Sequence, residues 1–303
     1  MSFLKTPKAI PSRVRGIFRY LLEVKNQKQK RDILEQILSP DKLLERRLSE
    51  EISKEEKVSH VMFNETLGQC VKCGLLVKED DEIGINQNLP EPARSPKSGD
   101  ALLPDTLATL LFASDNADEE DFGLACAWFL AQDIYDAPGH WEAVQTQVNN
   151  QQVGDFLRMT SNLLYDSMDN WMCYMGLAWG HKLGTKRVTV PDPTLYIRRK
   201  LKDVFNQEVG TKLLMQEFID KLAIKCPLFE TGKFRDEIEK NIGQRQPNYL
   251  STSTAFALFR LRAEGYIEMK RESDADIMIL PKANNQVDDA GRISHIIWQG
   301  DKS

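Results

Sequence analysis

The chain has 303 residues, a net charge of -5 and 41% hydrophobic residues, an ordinary globular composition that excludes a disordered chain. No apolar run approaches the roughly 18 residues of a membrane span, and the opening residues lack the apolar core of a secretory signal. The five cysteines are an odd number, which fits reduced thiols. We therefore expect a cytoplasmic protein without a membrane segment.

Residues 1–88 have the pattern of a winged-helix-like domain. The first helix is expected from Pro11 to Val24, followed by helices over residues 31–38 and from Asp41 to about Glu56. Another helix is expected to be capped by Ser59 and to end at Gly74. The residue after a helix often has a left-handed backbone conformation, which glycine adopts readily. Two short apolar runs then flank the charged turn of residues 78–82, which predicts a hairpin wing.

Residues 89–100 combine proline, serine and glycine without periodicity, so we expect a linker there. Residues 101–226 show helical spacing of apolar residues throughout. They also hold four of the five tryptophans, Trp128, Trp141, Trp171 and Trp179. This stretch predicts an all-α middle domain with an aromatic core.

Residues 227–303 repeat the pattern of the first domain and predict a second winged-helix-like domain. A lead helix is expected at residues 229–242, and Ser251 or Thr252 caps a helix that ends at Gly265. The strand at residues 266–269 is expected to pair with residues 277–280, while the tail adds a last strand or docks onto the core. The fold class is therefore mainly α with small β-hairpins (α+β), with winged-helix-like modules flanking an all-α middle domain.

Winged-helix modules commonly bind nucleic acid or another protein, so the distribution of charge is informative. Residues 1–58 hold 14 Lys/Arg against 9 Asp/Glu, and a second basic stretch runs from Lys186 to Lys202. Cations neutralise DNA phosphates, and the start of a helix favours anions. The candidate nucleic-acid-binding residues are Arg13, Arg15, Arg19 and Lys72 with Asn64 and Gln69 in the first module, Arg198, Arg199 and Lys200 in the middle domain, and Thr252, Ser253, Thr254, Arg260, Arg262, Lys270 and Arg271 in the second module.

The first wing opposes this interpretation, because its tip carries Glu79, Asp80, Asp81 and Glu82. Carboxylates at that position would repel phosphates. The acidic wing and the negative net charge favour docking to a protein instead.

Cys70 and Cys73 have the CxxC spacing used by zinc and redox sites. Both fall in a predicted helix, and no further Cys or His lies at a suitable spacing. Buried thiols are therefore favoured over a metal site.

The string around Trp128 and His140 is the most distinctive in the middle domain. Asp133 and His140 could form a proton-transfer pair, but a core helix followed by a turn at Pro138-Gly139 accounts for the same residues. No phosphate-binding loop of the GxxxxGK[ST] form occurs. We expect no catalytic residue, no metal and no cofactor.

Three segments, FLKTPKAIPSRVRG at the start, the first winged-helix segment and the central LACAWFLAQDIYDAPGHWEAV, together resemble the DpdG family. This resemblance implies membership in a bacterial multi-protein system that inserts 7-deazaguanine derivatives into DNA and restricts unmodified DNA. It implies a place on the restriction side of that system, and it transfers no catalytic residue.

These observations predict a noncatalytic subunit that binds double-stranded DNA for nuclease or motor partners in an anti-phage system. The alternative is an adaptor whose winged helices dock partner proteins or form a homo-oligomer without touching DNA. An enzyme with an unrecognised active site is the remaining class.

Overall fold

The computed structural model describes residues 2–42, 59–113, 116–184 and 186–301. The chain forms two compact units, Met1–Leu111 and Phe112–Ser303. Helices predominate and the strands form small antiparallel sheets, which confirms the mainly α, α+β class. None of the described helices is long and apolar enough to span a membrane. The helix predicted from Asp41 to about Glu56 lies largely outside the described residues.

Unit 1 places its helices around one three-stranded sheet. The helices are α1 Pro11–Glu23, α2 Arg31–Leu38, α3 Val61–Lys72, α4 Glu91–Arg94 and α5 Gly99–Leu111. The strands β1 Lys28–Lys30, β2 Leu76–Glu79 and β3 Glu82–Ile85 pair antiparallel in the order β1-β3-β2. The predicted hairpin of these residues is confirmed, with Leu76 opposite Ile85.

The core of unit 1 follows the periodicity of its sequence. α1 buries its predicted apolar stripe, which consists of Val14, Ile17, Phe18, Leu21 and Leu22. Burial of each such side chain stabilises the fold by about 1.5–3 kcal/mol. Gly74 ends the turn after α3 with a φ of 80°, as predicted. Ser59 is not the cap of α3, because the helix begins after His60 and no side chain caps it.

The segment predicted as a linker, residues 89–100, carries the short helix α4 and the first residues of α5. Gly99 packs closely there, since a Cβ at this position would lie 2.6 Å from the carbonyl oxygen of Ala93. The predicted division into residues 1–88, 89–100, 101–226 and 227–303 stays a prediction.

Among the described residues, unit 2 has more helices than unit 1, and its strands form three small sheets. Its helices are α6 Glu120–Ala131, α7 Trp141–Asn150, α8 Gly154–Leu157, α9 Asn162–Met175, α10 Thr194–Val204, α11 Met215–Lys225, α12 Lys233–Ile242 and α13 Thr252–Ala263. Its strands are β4 Trp179–Leu183, β5 Lys186–Val190, β6 Lys212–Leu214, β7 Ile267–Lys270, β8 Met278–Ile279, β9 Arg292–Ile293 and β10 His295–Trp298.

The expectation of an all-α middle domain is wrong. β4 and β5 form an antiparallel hairpin around Gly184, which has a φ of 61°, and Trp179 lies opposite Val190. A glycine turn between two short strands is the usual cause of such a hairpin. Trp128 and Trp171 are buried in the core as predicted, whereas Trp179 is 56% exposed on β4.

The prediction that the strand at residues 266–269 pairs with residues 277–280 is also wrong. β7 pairs with β10, where Trp298 lies opposite Ile267, while β8 pairs with β9 instead. The residues of β10 are buried along the whole strand, which lies between β6 and β7 in the sheet. The tail therefore supplies β10, which is the last strand in chain order. This is one of the two roles expected for the tail.

Both units contain the same order of elements. In unit 1, α1, β1, α2, α3, β2 and β3 follow one another, and the sheet order is β1-β3-β2. In unit 2, α10, β6, α11, α13, β7 and β10 follow in the same way, with α12 and the β8-β9 pair inserted, and the sheet order is β6-β10-β7. The lead helix of the second copy is therefore α10 and not residues 229–242.

Candidate nucleic-acid interface

α3 presents one face to solvent and the other to the core of unit 1. Phe63 and Leu67 are buried, whereas Asn64 and Lys72 are exposed. Gln69 does not share that exposed face, contrary to expectation. It is buried and donates from Nε2 to Thr6 Oγ1 at 2.7 Å. The exposed face is therefore narrower than the sequence suggested.

Cations from other segments border this exposed face. Lys8 Nζ lies 2.9 Å from Glu65 Oε1 of α3, and Arg13 donates from Nη1 to the carbonyl oxygen of Lys8 at 2.6 Å. Arg31 donates from Nη2 to Asn64 Oδ1 at 2.6 Å. Lys8 and Arg31 were not predicted, because nothing in the local pattern shows that they reach α3. We call the following set the α3 surface: Lys8, Arg13, Arg31, Asn64 and Lys72.

The other two predicted arginines of α1 lie toward α5. Arg15 makes a bidentate contact with Asp100, in which Nε and Nη2 each lie 2.7 Å from a carboxylate oxygen. Arg19 Nε lies 3.5 Å from the same carboxylate. The hydrogen bonds from Arg15 hold the pKa of Asp100 below its usual value. Two guanidinium groups thus share the carboxylate of Asp100, and both lie outside the α3 surface.

The β2–β3 hairpin, predicted as the wing of unit 1, has an acidic turn, as its sequence indicates. Asp80 and Asp81 form the exposed turn between β2 and β3. Glu79 lies 2.5 Å from Lys28 of β1, and this contact raises the pKa of the lysine. A wing of this charge is poorly suited to approach phosphates.

The basic run of α10 is half-exposed and rests on aromatic rings. The guanidinium of Arg198 lies 5.2 Å from the ring centroid of Tyr266, and Lys200 Nζ lies 5.4 Å from that of Tyr196. Arg199 donates to the carbonyl oxygen of Met175 at 2.6 Å. These contacts hold the cations in place and leave their charge at the surface.

The three hydroxyl residues predicted to bind phosphate at the start of α13 are buried. Thr252 Oγ1 accepts from the Ile134 amide at 3.0 Å, and Ser253 donates to the carbonyl oxygen of Leu130 at 2.6 Å. Thr254 donates to Glu230 Oε1 at 2.5 Å. The prediction for Thr252, Ser253 and Thr254 is therefore corrected, because α6 and the turn after it cover this helix end.

The carboxylate of Glu230 is part of a buried charge network that sequence reasoning missed. Ser251, one of the two residues predicted as the cap, caps α13, and its hydroxyl donates to Glu230 Oε1 at 2.6 Å. Arg245 forms an ion pair with Glu230, and Arg235 Nη2 lies 3.8 Å from it. Burial lowers the pKa of both arginines to about 10. The only sequence signal was the density of charged residues within an otherwise apolar stretch.

The predicted cations of the second module are largely matched by carboxylates. Arg260 Nη1 lies 2.8 Å from Asp192 Oδ2, Lys270 Nζ lies 3.3 Å from Glu268, and Arg271 Nη1 lies 3.5 Å from Asp289. The guanidinium of Arg262 lies over the ring of Phe259, 5.4 Å from its centroid. This part of unit 2 therefore does not form a strongly basic patch.

Cys70 and Cys73 are buried thiols, as expected, and neither is in a disulfide. Burial raises the pKa of Cys70 well above its usual value, with a smaller contribution from Cys73. Within the described residues, no group of three or more His, Cys, Asp or Glu side chains is placed to hold a metal ion.

The described elements thus define a mainly helical α+β protein with a repeated helix-and-sheet arrangement and several basic helical surfaces. The family model described as DpdG-like matches residues 1–275. The chain therefore belongs to the DpdG-like family, and the resemblance noted in its sequence is confirmed. Family membership supports a role in the Dpd system of DNA 7-deazaguanine modification. Searches of curated proteins and of solved structures gave no match.

Proposed function

We propose that this chain is a noncatalytic DNA-binding subunit of the Dpd modification and restriction system, and that unit 1 is a winged helix that binds duplex DNA through the α3 surface. Helix, strand, two helices and two strands, with the first strand paired to the last, is the winged-helix order. α3 occupies the place of the recognition helix in that order. The observation that carries the proposal is the exposed face of α3 with cations from three other segments around it.

The acidic residues on this surface do not prevent phosphate binding. Glu65 pairs with Lys8, and Glu35 lies 3.2 Å from Arg31 Nη2. Such exposed pairs contribute only about 0–1 kcal/mol. A DNA phosphate can therefore take the place of either carboxylate.

Unit 2 has the same element order, and we propose that it is a second winged helix. Its recognition-helix position is held by α13, whose N-terminal half is buried. We assign it a structural role and assign any phosphate contact of unit 2 to Arg198, Arg199 and Lys200 on α10. The Arg15 and Arg19 pair on α1 is a similar peripheral contact in unit 1.

The salt dependence of DNA affinity tests this assignment. A quadruple variant, Lys8→Gln, Arg13→Gln, Arg31→Gln and Lys72→Gln, removes the cations of the α3 surface. Because each neutralised phosphate contributes about 0.9 to the slope of log K against log salt, the slope should fall by roughly 3 to 4. Fluorescence anisotropy of a labelled unmodified duplex measures both the affinity and the slope.

The matched control makes the same change of charge in unit 2: Arg260→Gln, Arg262→Gln, Lys270→Gln and Arg271→Gln. We expect its slope to equal that of the unchanged protein. Equal losses in both variants would mean that only net charge matters and would contradict the α3 assignment. Absence of DNA binding by the unchanged protein would contradict DNA binding altogether.

A protein-docking adaptor is the second candidate, and the acidic tip of the first wing favours it. In this function the nuclease or motor proteins of the same system, or a second copy of the chain, bind unit 1. A variant with Asp80→Asn and Asp81→Asn should then lose the partner while the α3 variant keeps it. Co-purification with the other proteins of the system, and light scattering of the chain alone, measure the two associations.

A further inference from the structure

Unit 2 contains a cleft of about 320 Å³ between the start of α7, the outer face of α9 and strand β5. Its lining brings together side chains from three parts of the sequence that show no common motif. The principal lining residues are His140, Trp141, Tyr165, Asp166, Asp169 and Arg187.

The turn at Pro138-Gly139 forms one wall, because it packs directly on β5. The amide of Thr189 donates to the carbonyl oxygen of Gly139 at 2.9 Å. A Cβ at Gly139 would lie 2.6 Å from Val188 Cγ1 and 2.8 Å from the carbonyl oxygen of Thr189. The glycine thus permits a close approach that places His140 and Trp141 at the cleft. Asp133, the other member of the acid–imidazole pair considered above, instead accepts a hydrogen bond from the amide of Tyr135.

Asp169 anchors the floor of the cleft, with only 4% of its side chain exposed. Thr189 Oγ1 donates to one carboxylate oxygen at 2.6 Å, and Arg187 Nε lies 2.7 Å from the other. Cys173 Sγ also donates, at 3.3 Å, to the oxygen that accepts from Thr189. Asp169 is therefore held in one position by three neighbours, which leaves it little capacity to bind a ligand itself.

The hydroxyl of Tyr165 is unsatisfied at this floor. The residue is 4% exposed, and its oxygen makes no hydrogen bond of normal geometry to the residues that the structure describes, although the hydroxyl of Thr189 lies near enough to oppose part of the rise in its pKa. Burial, and secondly the carboxylate of Asp169, raise the pKa of Tyr165 and keep the phenol neutral. A neutral buried oxygen without a partner is unfavourable, and a ligand with an N–H group would satisfy it.

Asp166 stands at the mouth of the cleft, one helical turn before Asp169 on α9. Asn162 Nδ2 lies 3.3 Å from one of its oxygens, so the carboxylate keeps further acceptor capacity. Trp141 and Tyr165 present neighbouring rings, with centroids 6.5 Å apart. Glu142 lies at the rim. The cleft is thus lined by three carboxylates, those of Glu142, Asp166 and Asp169, and by one guanidinium, that of Arg187.

We propose that this cleft binds a guanidinium group. A guanidinium is planar and positively charged, so it can stack on the aromatic rings, donate two parallel N–H bonds to Asp166 and donate one to Tyr165. The surplus of carboxylates repels a phosphate-bearing ligand and selects a cation. The group comes either from a free small molecule or from an arginine side chain of a partner protein. This proposal is independent of DNA binding by unit 1.

Isothermal titration calorimetry of the full chain with three probes tests the proposal. The probes are arginine amide, the peptide acetyl-Gly-Arg-Gly-amide, and the same peptide with citrulline, which has nearly the same shape without the charge. We expect both arginine probes to bind and the citrulline peptide to bind at least about tenfold more weakly, the loss expected for charge-assisted hydrogen bonds. Tighter binding of the peptide identifies a protein side chain as the source, and equal or tighter binding of arginine amide identifies a free molecule. Absence of binding by both arginine probes, or equal binding of the citrulline peptide, overturns the proposal.

Two variants locate the site. Asp166→Asn should weaken arginine binding by at least about tenfold, whereas Asp155→Asn, which removes the same charge from exposed α8, should leave it unchanged. Tyr165→Phe should weaken binding while the thermal midpoint stays nearly the same, because the lost hydroxyl makes no hydrogen bond of normal geometry in the free protein. Unchanged binding in both cleft variants would contradict the assignment to this cleft.

Discussion

Glu230 ties the start of α13 to two arginines inside unit 2. Its side chain is 1% exposed, and it accepts from the hydroxyls of Ser251 at 2.6 Å and Thr254 at 2.5 Å. It also pairs with Arg245 and lies near the fully buried Arg235. Replacement by alanine would leave two hydroxyls and two cations without this acceptor.

We expect Glu230→Ala to lower the free energy of unfolding of unit 2 by about 3–5 kcal/mol, the usual result of removing one partner of a buried ion pair. The two hydroxyl bonds to a charged acceptor alone account for roughly 3 kcal/mol at about 1.5 kcal/mol each. Glu230→Gln keeps an acceptor oxygen for the hydroxyls but loses the charge, so its loss should be about half as large.

Urea unfolding followed by tryptophan fluorescence measures this loss selectively, because all five tryptophans lie in unit 2. Asp236→Asn is the control on α12, since its contact with Lys240 is exposed on both sides. We expect no measurable change in that variant. A loss below about 1 kcal/mol for Glu230→Ala would refute the network as a source of stability.

Two other predictions concern packing and charge. Gly139→Ala should destabilise unit 2 by about 1–3 kcal/mol, because the added Cβ would lie 2.6 Å from an atom of β5. Urea unfolding measures this loss. An unchanged midpoint would mean that β5 moves away to accommodate the methyl group. Asp100→Asn should lower the stability of unit 1 at neutral pH. Because Arg15 lowers the pKa of the folded carboxyl below its usual 3.8, the pair stabilises unit 1 above about pH 4 and this contribution is lost as the pH falls through the lowered value. Circular dichroism should therefore show a difference between variant and parent that disappears in acid, and a difference that persists there would contradict the ion-pair explanation.

Local periodicity predicted the parts of the fold that depend on neighbouring residues. The apolar stripe of α1 and the first hairpin follow from spacing and turn residues alone. The pairing of β7 depends on β10, which the chain reaches only after a long insertion, and nearby residues 277–280 offered an equally apolar strand. Three-dimensional packing determines which strand pairs with β7, and the local sequence pattern does not contain that information.

The candidate site was predictable only in part for the same reason. Exposed cations on α1 and α3 could be read from helical spacing, but Lys8 and Arg31 reach α3 from distant parts of the chain. The hydroxyl cluster at the start of α13 had the composition of an anion site. Its partner is Glu230, and the helix end is closed by Leu130 and Ile134 of the preceding segments. Composition alone cannot distinguish a phosphate from a buried carboxylate and backbone groups as the partner of a hydroxyl.

The two copies of the repeated arrangement differ in which face of the third helix they expose. In α13, Ser253, Thr254 and Ala257 are small residues that allow close packing and are fully buried. In α3, the outward positions carry Asn64 and Lys72, and Val61 and Met62 are more than 40% exposed. Because Met62 is half-exposed and lies beside Asn64 on the outward side of α3, it adds little to the buried core of unit 1 and is placed to contact a ligand of the α3 surface. We therefore expect Met62→Ser to leave the unfolding of unit 1 nearly unchanged while weakening whichever ligand, DNA or protein, the α3 surface binds. A marked loss of stability without any loss of binding would instead mean that Met62 serves the fold.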